Sequence, residues 1–430
     1  MKLLLKKILC KILLIEAKII LKKYKPFIVG ITGSVGKTST KDAIYTVLAD
    51  TSWYVRKSQK SWNSDIGIPL TILGCENGWS NPLLWIRNIL HGLELIFLKS
   101  KYPDCLVLEV GADHPGDIEN ITKWMKIDRT VMTSISAVPV HIEFFPSRDD
   151  LLKEKSYLVK ALKKDGCLIL YHDDQDVLSL SKGINQKVLT YGMNPSANVN
   201  ASNHSIIYEE KEGIKVPCGM TFKLNYEGNS VPIIARGVLG IQQIYPLLAG
   251  AVVGISLNIP NNPHKIILTD IINSLSKHKS PPGRMNIIKG INDSTIIDDT
   301  YNSSPDALYQ ALFVLGEIET SGRKIAVIGD MMELGKFSAE EHKKAGDFAK
   351  KNASIIITVG QRAKKMGENI ISFNTAYEAS QYVRGIANKG DIFLVKGSQS
   401  MRMERVVKDL MAEPEKASEL LVRQEPEWLA

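Results

Sequence analysis

The 430-residue sequence has few cysteines, and they form no metal-binding or disulfide pattern. The five cysteines are scattered, odd in number and free of C-x-x-C spacing. This usage excludes a disulfide framework and a cysteine zinc site, and it predicts reduced thiols in a cytoplasmic setting. Internal repeats and low-complexity segments are lacking too, and a hydrophobic content of 44% excludes wholesale disorder.

Long apolar runs are also missing, since none approaches the roughly 20 residues of a membrane-spanning helix. The nearest candidate, residues 1–25, is interrupted by Lys7, Lys11, Lys18 and Lys22, which share one helical face. These lysines and the absence of a small-residue cleavage site argue against a signal peptide. Two interpretations stay open: a helix packed on the domain behind it, or a basic amphipathic helix on an anionic membrane surface.

Acidic residues are outnumbered by basic ones, which gives a formal net charge of +8. The excess favours anionic partners such as nucleotides, acidic metabolites, a membrane surface or nucleic acid. Nucleic-acid binding has little support, because the basic residues are concentrated at the N-terminus and no motif of stacking aromatics accompanies them. The length predicts two or three domains.

The stretch from Phe27 to Thr40 reads F-I-V-G-I-T-G-S-V-G-K-T-S-T. It predicts a buried strand, a glycine-rich turn and a helix opening at Lys37. Such a turn directs backbone N–H groups at an anion, while Lys37 neutralises charge and the Thr38 hydroxyl can bind Mg²⁺. Ile31 stands where the strict P-loop pattern has glycine, so a plain glycine-rich turn is the alternative. The flanking strand and helix favour phosphate binding.

Strands alternate with helices along most of the chain, which predicts an α/β fold with a mostly parallel sheet. Between about 197 and 240 the alternation changes to antiparallel hairpin strands. The segment K-S-P-P-G-R at 279–284 is the best domain boundary, because paired prolines cannot continue a helix. We therefore predict an N-terminal helix (1–25), a P-loop domain (26–280) and a smaller Rossmann-like α/β domain (281–430).

Two further polar positions follow predicted strands, where ligands bind in open α/β sheets. Glu109 ends the strand at 105–110, and a magnesium ion beside Thr38 would satisfy its carboxylate. His141 follows the strand at 130–135, although a loop histidine with no ligand role is the more common case. Lys155 lies fourteen residues further on, and its spacing alone does not distinguish it from a solvated surface lysine.

A series of motifs in one order resembles the Mur ligase superfamily, the ATP-dependent amide-forming enzymes of peptidoglycan assembly. The motifs are G-I-T-G-S-V-G-K-T-S-T-K, L-E-V-G-A-D-H-P-G-D, V-H-I-E-F-F-P-S followed after seven intervening residues by a lysine, P-P-G-R-M, D-D-T-Y-N-S-S-P, I-G-D-M-M-E-L-G and L-V-K-G-S-Q-S-M-R-M-E. The Y-N-x-x-P and G-D-M-x-E-L-G pair is similar to the F-type branch. The resemblance covers about residues 26 to 412.

The resemblance implies roles for individual residues. ATP would be held by the P-loop residues Gly33, Ser34, Val35, Gly36, Lys37, Thr38 and Ser39, together with Arg284 and the adenine-contacting Asn302. Thr38 and Glu109 would bind a first Mg²⁺, and His141 a second. Lys155 matches a lysine that becomes carbamylated and then helps to bind the second ion. Lys37, Glu109, His141 and Lys155 are thus the predicted catalytic set.

The implied reaction joins D-alanyl-D-alanine to UDP-N-acetylmuramoyl-tripeptide through an acyl phosphate in the cytoplasm, with the inner face of the membrane as an alternative location. Family members of this branch hold the UDP-sugar with an N-terminal domain, whereas about 25 residues precede the P-loop strand here. The acceptor is then expected to be held by the two remaining domains or presented differently. The alternatives are a Mur-type ligase for a lipid-linked or polyglutamyl acceptor, a P-loop ATPase without ligase activity, and a membrane scaffold without catalysis.

Overall fold

The computed structural model describes residues 2–59, 65–136, 142–211, 213–258, 266–425 and 428. The helices are α1 (Lys2–Tyr24), α2 (Lys37–Ala49), α3 (Gly67–Leu73), α4 (Pro82–Phe97), α5 (Asp117–Thr122), α6 (Arg148–Lys160), α7 (Gln175–Ser179), α8 (Ile244–Ser256), α9 (Leu268–Ser276), α10 (Pro305–Glu317), α11 (Ser338–Asn352), α12 (Ala376–Ile386), α13 (Glu404–Leu410) and α14 (Ala417–Leu420). Within these ranges no helix has the length and apolar character needed to cross a bilayer.

The strands of the first sheet are β1 (Phe27–Thr32), β2 (Val55–Lys57), β3 (Cys105–Glu109), β4 (Ile127–Met132), β5 (Leu162–Tyr171), β6 (Lys187–Gly192), β7 (Val199–Lys211), β8 (Ile214–Tyr226) and β9 (Asn229–Arg236). Over the described residues their order is β2-β3-β1-β4-β5-β6-β7-β8-β9. Strands from β2 to β7 pair in parallel, and β8 and β9 add an antiparallel extension. The predicted mostly parallel sheet with a hairpin is confirmed.

The second sheet lies in the C-terminal third of the chain. Its strands are β10 (Asn286–Lys289), β11 (Thr295–Asp299), β12 (Lys324–Gly329), β13 (Ile355–Val359), β14 (Ile371–Phe373) and β15 (Ile392–Lys396). In the described part of the chain they follow the order β10-β11-β15-β12-β13-β14, and only the β10–β11 pair is antiparallel. This agrees with the predicted second, smaller α/β unit.

One local prediction was wrong. The apolar residues Trp53, Tyr54 and Val55 predict a short strand, whereas β2 begins only at Val55, because Tyr54 uses its backbone N–H to bond the Asp104 carboxylate. The strand β7 lies within the predicted hairpin region, and its sequence, V-N-A-S-N-H-S-I-I-Y-E-E-K, shows little alternation because small polar residues occupy its first half.

The first helix packs on the domain behind it. Leu13, Ala17 and Ile20 are fully buried, and they join the apolar core that lies between α1, α3 and the first sheet. The Lys23 ammonium donates to the backbone carbonyls of Leu95 and Leu98 at the end of α4, which satisfies acceptors that the helix leaves unpaired. The packed interpretation of this helix is therefore correct, although its outer face stays exposed.

Candidate active site

The P-loop connects β1 to α2 at the carboxyl edge of the first sheet. Gly33 and Gly36 have φ values of 145° and 82°, a region that residues with a Cβ rarely adopt. A Cβ on Gly33 would lie 1.9 Å from the Thr133 hydroxyl, so the loop can approach β4 only with glycine here. The Ser34 and Val35 N–H groups donate to the Ser134 carbonyl, which attaches the loop to the next strand. Because these two N–H groups are already bonded, the backbone N–H groups in the first turn of α2 are the candidates to bind an anion.

Lys37 is folded back over the loop. Its ammonium donates to the carbonyls of Gly33 at 3.0 Å and Ser34 at 3.2 Å. Burial lowers the pKa of Lys37, and the nearby Glu109 carboxylate opposes that shift. An anion at the start of α2 would therefore meet the half-buried Lys37 ammonium and the positive end of a helix.

Thr38 and Glu109 lie side by side, as the sequence predicts. The Thr38 hydroxyl donates to the Glu109 carboxylate at 3.0 Å, and Glu109 is 1% exposed. The parallel register of β1 and β3 causes this contact, because both strands end at the same edge. Ser39, on the following position of α2, is buried.

Lys155 is brought into the same site from α6. Its ammonium donates to the Gly33 carbonyl at 2.8 Å, so Gly33 accepts from both Lys155 and Lys37. Lys155 is 3% exposed, and burial together with the positive charge of Lys37 holds its pKa well below the usual value. The surface-lysine interpretation is wrong for Lys155, because a solvated lysine would be neither buried nor bonded to the P-loop.

Arg284 joins the second sheet to the P-loop. Its guanidinium stacks on the Tyr301 ring, 3.9 Å from the centroid, and reaches the Thr38 hydroxyl at 3.5 Å. Asn302 follows Tyr301, and its backbone carbonyl accepts from the buried Lys396. The structure thus places Arg284 beside the P-loop and Asn302 in the same loop as the aromatic ring that Arg284 covers.

Several buried polar atoms around the P-loop have no hydrogen-bond partner among the described residues. They are the hydroxyls of Thr32, Ser34 and Thr133 and the Nε atom of Arg284. Buried polar groups are normally satisfied, so their grouping around one loop favours a polar ligand here.

The donor set also fits a hard cation. Thr38 and Glu109 supply a hydroxyl and a carboxylate within one hydrogen bond of each other, and Mg²⁺ takes few protein oxygens beside phosphate and water. Within the described ranges, no three or more His, Cys, Asp or Glu side chains are arranged so that they could hold a metal ion together. His141, the predicted ligand of a second ion, lies outside the described residues.

The loop that ends at Phe144 meets the C-terminal part of the chain. A Cβ added to Gly335, in the G-D-M-M-E-L-G motif, would lie 3.3 Å from the Glu143 side chain. The carboxylate of Asp330 in the same motif accepts from the Arg362 and Ala363 N–H groups, so it joins its loop to the segment that follows β13.

Sequence reasoning missed two residues of the site. The negative charge of Asp113 opposes the lowering of the pKa of both Lys37 and Lys155. The buried Arg423 donates to the backbone carbonyls of Thr300 and Tyr301. Asp113 could have been found from its place four residues after Glu109 in the quoted motif, whereas no local signal marks Arg423.

Known proteins share this architecture and much of this sequence. The Mur ligase middle domain matches residues 31–254, and the Mur ligase glutamate ligase domain matches residues 283–399. A protein from Bacillus subtilis named UDP-N-acetylmuramoyl-tripeptide–D-alanyl-D-alanine ligase is 28% identical over 408 residues, which are 93% of this chain and 79% of the relative. A protein of the same name from Buchnera aphidicola is 30% identical over 92% of this chain and 79% of the relative.

A solved structure shows the same fold. The MurF ligase of Thermotoga maritima in complex with ADP has a TM-score of 0.75 at 24% identity, covering 95% of this chain and 84% of that one. With the domain matches and the relatives above, the arrangement of P-loop, Glu109 and Lys155 leads to one assignment: this chain belongs to the Mur ligase family.

Proposed function

We propose that this chain is an ATP-dependent ligase that joins D-alanyl-D-alanine to UDP-N-acetylmuramoyl-tripeptide in peptidoglycan precursor synthesis. The two named relatives above support this acceptor and this dipeptide, since each aligns with more than nine tenths of the chain. The observation that carries the chemistry is Lys155, which reaches the Gly33 carbonyl of the P-loop across 122 sequence positions.

The first step is carboxylate activation. An oxygen of the tripeptide carboxylate attacks the γ-phosphorus, the bond to the β-phosphate oxygen breaks, and ADP leaves with that electron pair. Two anions approach each other in this step, so catalysis depends on positioning and on positive charge. Lys37 supplies a half-buried cation, and Arg284, which lies just before β10, supplies a second.

The second step forms the amide. The amine of D-alanyl-D-alanine attacks the acyl carbon, a tetrahedral intermediate collapses, and phosphate leaves while the amine loses a proton. Water would hydrolyse the acyl phosphate, so the site must close. The contact of Gly335 with Glu143 and the Arg284 bridge support closure of a C-terminal domain, residues 281–430, over a central domain, residues 26–280.

Mg²⁺ would be held by Thr38 and Glu109 at the first position, and by His141 and a carbamate on Lys155 at the second. When bound, the ions would neutralise phosphate charge and polarise the transferred group. Carbamylation needs a neutral amine: the Lys155 nitrogen attacks CO₂ and loses a proton. Burial and the charge of Lys37 lower the pKa of Lys155, which favours the neutral form.

The proposed substrates place the reaction in the cytoplasm, where ATP and UDP-linked precursors are found. Binding at the inner face of the membrane is a separate question, and it depends on the outer faces of α1 and α4.

A phosphate-release assay with a matrix of acceptors and amines tests this function. We expect ATP-dependent phosphate release only with UDP-N-acetylmuramoyl-tripeptide and D-alanyl-D-alanine together, and a product of the joined mass. Lys37→Ala should abolish it, since the P-loop cation is lost.

Other results of the same matrix would identify the rivals. Release with glutamate or with a lipid-linked acceptor would assign a different Mur-type ligase. Release without any amine, and without a joined product, would assign an ATPase and overturn the proposal.

A further inference from the structure

The outward face of α4 is apolar and uncovered. Its large side chains at positions i, i+3, i+7, i+10 and i+14 form one stripe along the helix, with exposures between 39% and 78%: Leu83, Ile86, Leu90, Leu93 and Phe97. The opposite side of α4 carries the buried residues Asn88, Gly92 and Leu95. A contiguous exposed apolar surface of this kind marks an interaction site, because the exposed apolar residues of a soluble monomer are normally separated from one another.

The helix α1 lies beside α4 and extends this surface. Glu16 of α1 is so close to Gly92 that a Cβ there would lie 2.3 Å from the Glu16 carboxylate. Farther along, Lys23 caps the last carbonyls of α4. The isoleucines Ile8, Ile15 and Ile19 are exposed on α1. At 3.6 residues per turn, they lie between the side of α1 that contacts α4 and the side that carries its exposed lysines.

Positive charge borders the apolar surface. One face of α1 carries the exposed lysines Lys7, Lys11, Lys18 and Lys22, and Lys99 and Lys101 follow the end of α4. The indole of Trp79, 54% exposed, lies just before α4. Apolar helical faces with lysines at their edge and a tryptophan at one end suit the boundary between lipid headgroups and acyl chains, where long lysine side chains extend to the phosphates.

We propose that α1 and α4 form a lipid-binding face that lies on an anionic bilayer. The lysines attract the headgroups, and the α4 stripe enters the acyl boundary. The charge favours a bilayer over a second copy of this chain, because a symmetric pairing through this face would bring two lysine rows together.

The face is remote from the reaction site. Phe97 ends α4 eight residues before β3 begins, whereas Glu109 lies at the opposite, carboxyl end of β3. Substitutions on the stripe are therefore expected to leave catalysis on soluble substrates unchanged, which separates this proposal from the proposed function.

Co-sedimentation of the full chain with vesicles tests the proposal. We expect binding to vesicles of phosphatidylcholine with phosphatidylglycerol, at least tenfold weaker binding to phosphatidylcholine alone, and weakening with salt. The double variant Leu90→Glu/Phe97→Glu should bind at least tenfold more weakly. Phe313→Glu is the matched control, since Phe313 is 53% exposed on α10 of the other sheet, and it should bind like the wild type.

A second variant tests the lysine row. Lys11→Gln/Lys18→Gln should weaken binding to the anionic vesicles roughly 25-fold, about fivefold for each lysine. Because both lysines are exposed, these changes leave the core intact.

Three results would overturn the proposal. One is no binding of the wild type to anionic vesicles, and another is equal binding of the wild type and both variants. The third is a lipid-free dimer in sedimentation velocity that Leu90→Glu/Phe97→Glu converts to monomer, because the face would then belong to a second copy.

Discussion

A single carbonyl oxygen, that of Gly33, accepts hydrogen bonds from the ammonium groups of Lys37 and Lys155, which come from different helices. Two positive charges on one acceptor repel each other, and the charge of Lys37 helps to lower the pKa of Lys155. The arrangement therefore favours an anionic ligand beside Lys37 and the neutral Lys155 amine that carbamylation requires.

The carbamate proposal gives a prediction for Lys155. Lys155→Ala should reduce ligation by at least a hundredfold, since the variant cannot form the anion, and a small carboxylate such as acetate should restore part of the activity. The measurement is joined product per time with and without acetate. Lys153→Ala, on the same helix two residues earlier, is the matched control and should stay active. Full activity of Lys155→Ala would contradict the role.

Glu16 gives a prediction about pH and stability. It is 3% exposed, and no described residue bonds either of its carboxylate oxygens. Burial raises its pKa from 4.5 to about 7. The folded state then keeps a proton that the unfolded state releases, so this stabilising contribution is full below pH 4.5 and falls as pH rises toward 7.

Glu16→Gln should remove this pH dependence. At pH 8 the variant should be more stable than the wild type by on the order of 2 kcal/mol, and the difference should shrink toward pH 5. Urea unfolding at both pH values measures it. Glu94→Gln, an exposed change on α4, should show no such trend. A constant difference for Glu16→Gln would refute the assignment.

At the scale of elements, the segment that follows α14 supports the loop that contains Tyr301 and Asn302. The Arg423 guanidinium donates to the Thr300 carbonyl at 2.7 Å and the Tyr301 carbonyl at 3.1 Å, and it pairs with Glu404 at 2.7 Å. Tyr301 carries the ring on which Arg284 stacks. The segment after α14 thus holds the loop that presents Arg284 and Asn302.

Arg423→Met should loosen that loop and raise KM for ATP about tenfold, with a smaller change in kcat, because the lost contacts position binding groups. Arg402→Met is the matched control. Arg402 pairs with the same Glu404 carboxylate, at 2.6 Å, yet it donates to neither carbonyl. Equal KM increases in both variants would show that the effect arises from Glu404 alone.

At the scale of the whole molecule, we expect a single nucleotide bound at the P-loop to stabilise the parts of the chain that contain both sheets. Arg284 comes from the C-terminal part, and it reaches Thr38 of the P-loop. At a hundred times its Kd, an ATP analogue with Mg²⁺ should add about 2.7 kcal/mol to the free energy of unfolding. Arg284→Ala should reduce the resulting Tm shift, measured by calorimetry, whereas the exposed Arg236→Ala should not. Equal shifts in the two variants would exclude the bridging role.

The sequence predicted the fold and its family well where local pattern is strong. The P-loop was readable because the strand, glycines and helix are contiguous, and the Thr38–Glu109 contact followed from parallel strands ending together. Lys155 needed the resemblance, since its burial arises only when α6 packs against the loop. Arg423 and the exposed stripe of α4 depend on long-range packing, so spacing could not predict them.

The close packing of α2 against α8 has a mechanical consequence. A Cβ on Gly250 of α8 would lie 3.2 Å from the Ala43 backbone, and the α2 residues from Thr38 to Ile44 are all buried. The helix α2, which follows the P-loop, is therefore held in place by α8 and cannot shift without a clash. If the site opens to admit substrate, we therefore expect the C-terminal part to move, with the change of direction at Gly283 and Met285, whose φ values are 71° and 56°.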